Sequence, residues 1–140
     1  MSALFVHSVN VTWADCDPAK IAYTARLPYF ALDAINAWWE AHFDGDGWFQ
    51  MELDHNVGTP FVRLEMDFRH PVTPRHPLLC ETSPVRLGNK SITFQVKGYQ
   101  DDVLCFQGMF TCVFTVADQF KSQPVPDRLR TVIEAKLVVE

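Results

Sequence analysis

The sequence predicts an α+β domain in which an antiparallel five-stranded sheet wraps around one long helix, with a short helix near the C-terminus. Three observations support this. A helical stripe of apolar residues lies early in the chain, over roughly residues 27–43. Strand-like segments follow it as a group between residues 61 and 116. A second, shorter apolar stripe lies close to the C-terminus. Strands that are grouped after a helix, rather than alternating with helices, are typical of α+β folds.

The composition indicates one globular domain over residues 1–140. A chain of this length buries enough surface to fold without disulfides or metals. Hydrophobic residues make up 48% of the chain and aromatic residues 13%, which excludes a disordered or fibrous protein. The formal net charge is −5. We therefore expect neither nucleic acid nor an anionic membrane as a partner, since both are bound by broad basic patches.

The first strand and the long helix are predicted from their periodicities. Apolar and polar side chains alternate over residues 4–13, as in a half-buried strand, with Phe5, Val9, Val11 and Trp13 expected on the buried face. Further on, apolar residues recur at spacings of three and four. Because Pro28 is tolerated only in a first turn, the helix is expected to begin at Arg26 or Leu27 and to end before residues 44–47. Its stripe comprises Leu27, Ala31, Ala34, Ile35, Trp38 and His42.

Two strands are predicted directly after the helical region. Residues 61–69 alternate strictly, so Val62, Leu64, Met66 and Phe68 are expected on one face and charged side chains on a solvent-facing side. Residues 78–85 form the next strand. Pro84 cannot donate a hydrogen bond to a sheet, which predicts that this strand is either an edge strand or a bulged one.

The last elements are a hairpin and a short helix. Residues 91–99 place Ile92, Phe94 and Val96 inward. Residues 103–116 are almost wholly apolar and predict a central strand covered on both faces, after a hairpin turn at residues 100–102. Asp127 is expected to cap the final helix. Its apolar stripe comprises Leu129, Val132, Ile133 and Leu137.

The four cysteines show neither a CxxC pair nor the Cys/His spacing of a metal site. We therefore expect no metal. Cys105 and Cys112 lie in an apolar run, where free cysteine behaves as a small hydrophobe. The chain does not begin with a secretory signal, which predicts reduced thiols in the cytoplasm. No apolar run approaches the ~20 residues of a membrane helix.

The segment most informative about function is ADCDPAKIAY, residues 14–23, between the first strand and the long helix. Asp17 precedes Pro18 and faces the start of the helix, where a carboxylate can act as a base or a nucleophile. The alternative is that Asp17 only caps a turn, since Asp-Pro is a common turn signal. Asp15 is expected to cap or orient the turn.

Three motifs resemble those of the 4-hydroxybenzoyl-CoA thioesterase family. They are Asp-Cys-Asp-Pro-Ala at residues 15–19 with Ile21 after it, the segment at residues 29–33, and Val-Gly-Thr-Pro at residues 57–60. The resemblance covers nearly the whole chain and implies the hotdog fold of that family. It also implies hydrolysis of acyl-CoA thioesters at the junction of two subunits, within a homodimer or a homotetramer, without a metal or redox cofactor. The helix has one apolar face only, which also favours joined sheets.

The resemblance assigns Asp17 as the catalytic carboxylate. Activation of water and direct attack on the carbonyl both remain open. Backbone N–H groups in the first turn of a helix can stabilise the oxyanion, and by motif position the donor is that of Tyr23 or Thr24. Two departures stand out: Lys20 replaces a usual glycine, and Asp17 and Asp33 are one residue further apart than in the best-known aromatic members.

For each of the further candidate site residues, two roles are possible. Asp33 either contacts a ring substituent of the acyl group or is polar on the helix exterior. Thr59 reaches the neighbouring subunit's active site or makes a local turn hydrogen bond. The loop with Arg86, Asn89 and Lys90 binds the CoA phosphates or carries solvated charges. Trp38, Trp39, Trp48 and Phe49 form core or interface, or else a pocket for a flat acyl group.

The motifs present in the sequence, and those absent from it, discriminate among the alternative functions. The sequence has no Gly-x-Ser-x-Gly elbow, which excludes a serine α/β-hydrolase. A hotdog enoyl-CoA hydratase needs an Asp/His pair, and no histidine lies beside Asp17 in the sequence. A non-catalytic acyl-CoA sensor is the other alternative. Asp17 discriminates against it, because a sensor has no need of a carboxylate aimed at a helix N-terminus.

Overall fold

A computed structural model describes residues 4–138 and confirms the predicted α+β architecture: an antiparallel five-stranded sheet, one long helix and a short C-terminal helix. In chain order the elements are β1 (Phe5–Val9), α1 (Arg26–His42), α2 (Trp48–His55), β2 (Val57–Gly58), β3 (Phe61–Phe68), β4 (Leu78–Leu87), β5 (Ser91–Gln100), β6 (Val103–Val113), β7 (Thr115–Val116), β8 (Lys121–Ser122) and α3 (Asp127–Lys136).

The five long strands form one sheet in the order β1-β4-β5-β6-β3, and β2, β7 and β8 form a small second sheet. The main contacts of α1 are with β1, β4 and β5. Aromatic rings fill the space between helix and sheet. Phe94 of β5 meets Trp38 and Trp39 edge-to-face, with ring centroids 5.1 and 6.0 Å apart. The core is therefore built on the face of the sheet that α1 covers.

Helix α1 matches its predicted bounds closely. It begins at Arg26, which leaves Pro28 in the first turn, and the predicted stripe is buried except for a half-buried His42. The chain then leaves the helix through Asp44 and Gly45, whose φ angles are +54° and +91°. The left-handed conformation of these two residues ends the helix.

The predicted strand irregularities are also present. Strand β4 lies between β1 and β5, and its register shifts between Pro84 and Arg86, so it is the bulged strand rather than the edge strand. Asp101 and Asp102 have φ angles of +49° and +62°. Two successive positive φ angles define the type I′ turn that matches the twist of a two-residue hairpin.

Three predictions are wrong in detail. Strand β1 ends at Val9, and Trp13 is not buried but 72% exposed, because the chain turns into a short 3-10 segment at Trp13–Asp15. Strand β6 ends at Val113, and its second face is only half-buried, since no layer packs fully against it. Pro126, not Asp127, precedes α3; Asp127 is the first helical residue.

Helix α2 occupies a segment for which the sequence predicts a loop. Its first backbone N–H, that of Trp48, donates to Oδ1 of Asn36 in α1 at 2.8 Å. The N–H of Gly47 donates to the side chain of Gln50 at 3.1 Å. A side chain at Gly47 would collide with Asn36, since a Cβ there would lie 2.5 Å from Oδ1. A contact from another helix therefore positions the start of α2.

The apolar side of β3 is exposed, although the sequence predicts that only the charged side of this strand faces solvent. Leu64, Met66 and Phe68 pair with core-facing residues of β6, so they point to the same side of the sheet as the core. Leu64 is nevertheless 53% exposed and Phe68 50% exposed. Strand β3 is the sheet edge and lies beyond the strands that α1 mainly covers. The register also shifts between Phe61 and Arg63, so Val62 sits in a bulge.

The four cysteines are free, and three of them are buried, including Cys105 and Cys112 as predicted. Burial, followed by the carboxylate of Asp33, raises the pKa of the Cys80 thiol to about 12. Burial also raises the pKa of Cys112 and of Cys105.

We expect a thiol reagent at pH 8 to modify Cys16 alone in the native protein and all four cysteines after denaturation. The folded state holds the buried thiols neutral, so the stability that this contributes is complete below the ordinary thiol pKa of 9.0 and is lost as the pH rises towards 12. Native thiol counting at pH 8 and urea melts between pH 8 and 11 measure both effects. Fast native modification of a second thiol would contradict this burial.

Candidate active site

Asp17 lies in a tight loop that joins the 3-10 segment to α1. The N–H of Lys20 donates to the Asp17 carbonyl at 2.9 Å, and the N–H of Asp17 donates to the Ile21 carbonyl at 3.0 Å. Cys16 and Ala22 form an isolated antiparallel bridge that closes the loop. These bonds hold the backbone of Asp17 from both sides, and its side chain is half-buried.

The carboxylate of Asp17 is fixed by one oxygen. Its Oδ1 accepts the backbone N–H of Ala19 at 2.8 Å, which is the hydrogen bond that a turn cap makes. The other oxygen, Oδ2, has no hydrogen-bond partner within residues 4–138. The cap and a chemical role are therefore compatible, because one oxygen orients the group while the other is available to a water molecule or a substrate.

Asp15 anchors the loop, as predicted. Its Oδ2 accepts from the backbone N–H of Thr12 at 2.9 Å and from the Thr12 hydroxyl at 3.1 Å. Its Oδ1 pairs with Nε of Arg26 at 3.2 Å, at the first residue of α1. The side chain of Asp15 thus ties the loop to the helix N-terminus.

The hydrogen bonds made by the N–H groups before α1 determine which of these groups is available to an oxyanion. The N–H of Tyr23 is already used, because it donates to the Asp15 carbonyl at 2.8 Å. Arg26 and Leu27 donate to the carbonyls of Tyr23 and Thr24. The N–H of Thr24 donates to no acceptor in the part of the chain that the structure describes. Of the two predicted donors, only Thr24 is available, and it lies at the positive end of the helix dipole.

A cavity of about 260 Å³, the Thr24 cavity, lies beside this donor. Its walls are mainly apolar and include Leu27 of α1 and Phe68 at the end of β3. Arg69 and His70, which follow β3, also line it. The residue with the free N–H therefore lines an apolar space, next to the loop that carries Asp17.

A second cavity of about 330 Å³, the Trp48 cavity, lies at the opposite end of β3. Phe61, the first residue of β3, lines it together with Thr59 and with Leu32 of α1. Trp48 and Glu52 of α2 complete one side. The helix that the sequence analysis missed thus forms a wall of this cavity; the spacing of Trp48, Met51 and His55 is the signal in the sequence that indicates it.

The predicted substrate-binding residues are separated. Thr59 lines the Trp48 cavity, whereas Asp33 is exposed on α1 and lines neither cavity. Exposure agrees with the reading of Asp33 as a polar residue of the helix exterior, and its contact with an acyl group stays a prediction. The predicted site residues are therefore divided within one subunit: Thr24 lines one cavity, Thr59 lines the other, and Asp33 lines neither.

Arg86, Asn89 and Lys90 lie together and exposed around the turn between β4 and β5. Arg130 of α3, which the sequence analysis did not single out, shapes this turn: its Nη2 donates to the Gly88 carbonyl at 2.7 Å and to the Asn89 carbonyl at 3.4 Å. A long-range contact between a C-terminal helix and this turn has no local signal in the sequence.

Lys20 has a φ of +69°, a conformation that favours glycine. We expect Lys20→Gly to raise the free energy of unfolding by about 0.5–1 kcal/mol, because the side chain no longer opposes the left-handed backbone. Lys20→Ala keeps a Cβ and is the matched control, with no gain expected. Urea unfolding of the three proteins measures the difference; an equal gain for alanine would contradict a backbone origin.

Residues 4–138 contain no group of three His, Cys, Asp or Glu side chains that could hold a metal ion. No helix within the same range is long and apolar enough to cross a membrane.

Comparisons with known proteins agree with this architecture. No curated protein sequence matches the chain. A thioesterase-superfamily protein from Jannaschia sp. CCS1 has 66% sequence identity and a TM-score of 0.95, over 99% of this chain and 96% of the other. A 1,4-dihydroxy-2-naphthoyl-CoA thioesterase from Synechocystis is similar in fold, with 18% identity and a TM-score of 0.83 over 94% and 96% of the two chains. Residues 11–133 match the thioesterase-like superfamily. The chain therefore belongs to the thioesterase-like superfamily and has the hotdog fold.

Proposed function

We propose that this protein hydrolyses acyl-CoA thioesters, as a relative of the 4-hydroxybenzoyl-CoA thioesterase family. One observation carries the proposal: Asp17 is held with one free carboxylate oxygen in the loop that leads to the unbonded N–H of Thr24. Thioester hydrolysis needs these two functions, a base or nucleophile and an oxyanion donor. The Thr24 cavity offers an apolar space beside the donor.

The reaction needs attack on the thioester carbonyl, transfer of protons and binding of the oxyanion. The thioester carbonyl oxygen accepts the N–H of Thr24, which stabilises the negative charge that develops there. Asp17 either takes a proton from water as the water attacks the carbonyl, or attacks the carbonyl itself to form an anhydride that water then cleaves. In both routes the C–S bond breaks and the CoA thiolate takes up a proton. The proposal includes no metal or redox cofactor.

The exposed edge of β3 supports a homodimer. If two copies of β3 pair antiparallel about a two-fold axis at the middle of the strand, Phe68 of one subunit lies beside Phe61 of the partner subunit. The Thr24 cavity of one subunit would then adjoin the partner's Trp48 cavity, which Thr59 lines. Pairing would also cover the exposed apolar side chains of β3. A tetramer rests on the family resemblance alone.

The CoA moiety is assigned to the turn between β4 and β5. Arg86 and Lys90 supply positive charges, and Asn89 supplies an amide, for its phosphates. All three are exposed, and Arg130 holds the turn from the side of α3. The four free thiols favour a reducing compartment, which is consistent with the cytoplasm, where CoA thioesters are found.

Free-thiol release tests the proposal. The wild type is incubated with benzoyl-, phenylacetyl-, short-chain and long-chain CoA thioesters, and the released CoA is measured. Turnover of at least one thioester well above its spontaneous hydrolysis is expected. Saturable binding without turnover of any thioester would contradict hydrolysis and favour an acyl-CoA sensor.

A hotdog hydratase is the second candidate, favoured by one observation. His70 lines the Thr24 cavity, so a histidine does lie near the proposed site although none is beside Asp17 in sequence. Crotonyl-CoA in the same panel separates the activities. Hydration removes the enoyl absorbance without releasing a thiol, whereas hydrolysis releases the thiol.

Disrupting β3 should impair the dimer and the activity together. Leu64→Asp places a charge at the middle of the exposed apolar edge, where two copies would have to bury it. We expect a shift towards monomer and about a tenfold loss of kcat/KM at low protein concentration, since each site would lose its partner's cavity.

Sedimentation velocity and thiol release measure this pair of effects. Val103→Asp is the matched control, because Val103 is also exposed and apolar but starts β6 at the hairpin. A Leu64→Asp protein that remains dimeric and fully active would exclude β3 as the interface.

A further inference from the structure

The two cavities at the ends of β3 differ in the sign of the charged residues that line them. Arg69 and His70 line the Thr24 cavity, and no acidic residue among residues 4–138 accompanies them. Glu52 lines the Trp48 cavity, and no lysine, arginine or histidine of the described chain accompanies it. Surfaces that bind each other specifically place positive groups opposite negative ones. The two cavities are therefore complementary in charge, although they lie at opposite ends of the strand within one subunit.

Arg69 and Glu52 have no ionic partner inside the subunit. Both residues are exposed, and neither forms a salt bridge within residues 4–138. A nearby charged pair on β3 behaves differently, because Arg63 binds Glu65 at 2.9 Å. Arg69 and Glu52 are thus available to a charge on a second molecule.

The backbone of Arg69 is fixed at the end of β3. Arg69 directly follows Phe68, the last residue of the strand, and its N–H donates to the Cys105 carbonyl of β6 at 2.7 Å. The N–H of His70 donates to the same carbonyl at 3.1 Å. The exposed arginine side chain therefore extends from a backbone segment that β6 holds in place.

Glu52 is positioned by α2 at the other end of β3. It lies four residues after Trp48, so the two side chains project from the same face of the helix. The ring of Trp48 packs edge-to-face on Phe61, the first residue of β3, with centroids 5.6 Å apart. Glu52 thus belongs to the helix face that packs at the start of β3, whereas Arg69 follows its end.

Antiparallel pairing of two β3 strands would bring these positions together. The end of one strand then lies beside the start of the other, with the strands about 4.8 Å apart. Both cavities are lined by α1, through Leu27 and Leu32, so they lie on the same side of the sheet. Arg69 of one subunit would therefore approach the partner's Glu52, and two-fold symmetry would repeat the contact.

We propose that Arg69 of one subunit forms a salt bridge with Glu52 of the partner subunit, between the Thr24 cavity and the partner's Trp48 cavity. This inference rests on the proposed pairing through β3 and, for its effect on turnover, on the proposed thioesterase function. The salt bridge holds the partner's α2 beside the segment that follows β3, so that this helix completes the acyl site. Arg69 and Glu52 are positioning residues, since neither has to touch the thioester carbonyl.

Charge reversal tests the contact. Arg69→Glu would set two carboxylates against each other at both contacts of the dimer, and Glu52→Arg would set two guanidinium groups against each other. We expect each variant to raise the dissociation constant of the dimer about tenfold or more, because like charges that face each other in an interface are strongly unfavourable. Sedimentation velocity over a series of protein concentrations at low salt measures this constant. An unchanged constant in either variant would overturn the proposal.

A mixture of the two variants distinguishes a contact between subunits from one within a subunit. A heterodimer of an Arg69→Glu subunit and a Glu52→Arg subunit has opposite charges at both contacts, whereas each homodimer has like charges at both. The equimolar mixture should therefore dimerise with nearly the wild-type affinity. A mixture that dissociates as readily as the separate variants would overturn the proposal.

Arg75→Glu and Asp54→Arg are the matched controls. They reverse exposed charges on the same two parts of the chain, the segment after β3 and α2, but at residues that line neither cavity. Neither control should change dimerisation, alone or in the mixture. Weakening by the controls equal to that of the test variants would show a general effect of charge and overturn the assignment. Melting curves check that all four variants are folded.

Dimerisation separates failure of this inference from failure of the proposed function, because it is measured without a substrate. Recovery of both the dimer and thiol release in the mixture would support a contact that completes the site. Recovery of the dimer in a protein that hydrolyses no thioester would support the salt bridge although the protein is not a hydrolase. If the wild type is active and the mixture recovers the dimer without thiol release, the role of the contact in the site is overturned.

Discussion

Asp17→Asn is expected to lower kcat for acyl-CoA hydrolysis by about 10²–10⁴-fold, the range over which a general acid or base contributes. Asparagine has nearly the same shape, and its Oδ1 can still accept the N–H of Ala19 that now bonds Asp17 at 2.8 Å. The loop should therefore keep its conformation. The amide can neither take a proton from water nor attack the carbonyl, so both routes are blocked.

Thiol release from the best substrate measures the loss, and a melting curve shows whether the fold is intact. Asp102→Asn is the matched control, because it makes the same change in an exposed turn whose φ of +62° asparagine tolerates. The control should retain the full rate. An Asp17→Asn protein with the wild-type rate would show that the carboxylate is only a turn cap.

Trp38→Ala should reduce the free energy of unfolding by about 3–5 kcal/mol, a large part of the 5–15 kcal/mol of a typical domain. Trp38 is 1% exposed and stacks on His42 with centroids 4.3 Å apart. It also meets Trp39 and Phe94 edge-to-face at 5.4 and 5.1 Å. Alanine would leave a cavity among these rings, which the surrounding sheet and helix cannot close.

Urea unfolding followed by circular dichroism measures the loss. Trp13→Ala is the control, since it deletes the same side chain at a site that is 72% exposed. Surface changes of this kind usually alter stability by no more than about 0.5 kcal/mol. Equal losses in the two variants would contradict the burial of Trp38.

Elements with local signals were predicted closely. The period of the apolar residues and the constraint from Pro28 located the start of α1 to within one residue. The alternation of β5 and the Asp-Asp turn located the hairpin, because side-chain period and turn chemistry act within a few residues.

Elements that depend on distant contacts were missed or misjudged. Helix α2 spans only eight residues, and Asn36, from another helix, caps its first turn. A helix this short is marginal without tertiary support, so the spacing of Trp48, Met51 and His55 is too weak a signal to predict it by itself. The apolar side of β3 was expected to be buried, but burial also depends on how far α1 extends across the sheet.

The sequence by itself determined the fold class, the bounds of the main helix and the loop that presents Asp17, because hydrophobic periodicity and turn residues act locally. Only the tertiary structure decided that Thr24 rather than Tyr23 offers its N–H, since Tyr23 is bonded to Asp15 across the loop. It also decided that cavities lie at both ends of β3 and that Trp48 lines one of them. Each of these depends on backbone groups and side chains from separate elements meeting in space, which no local pattern of residues specifies.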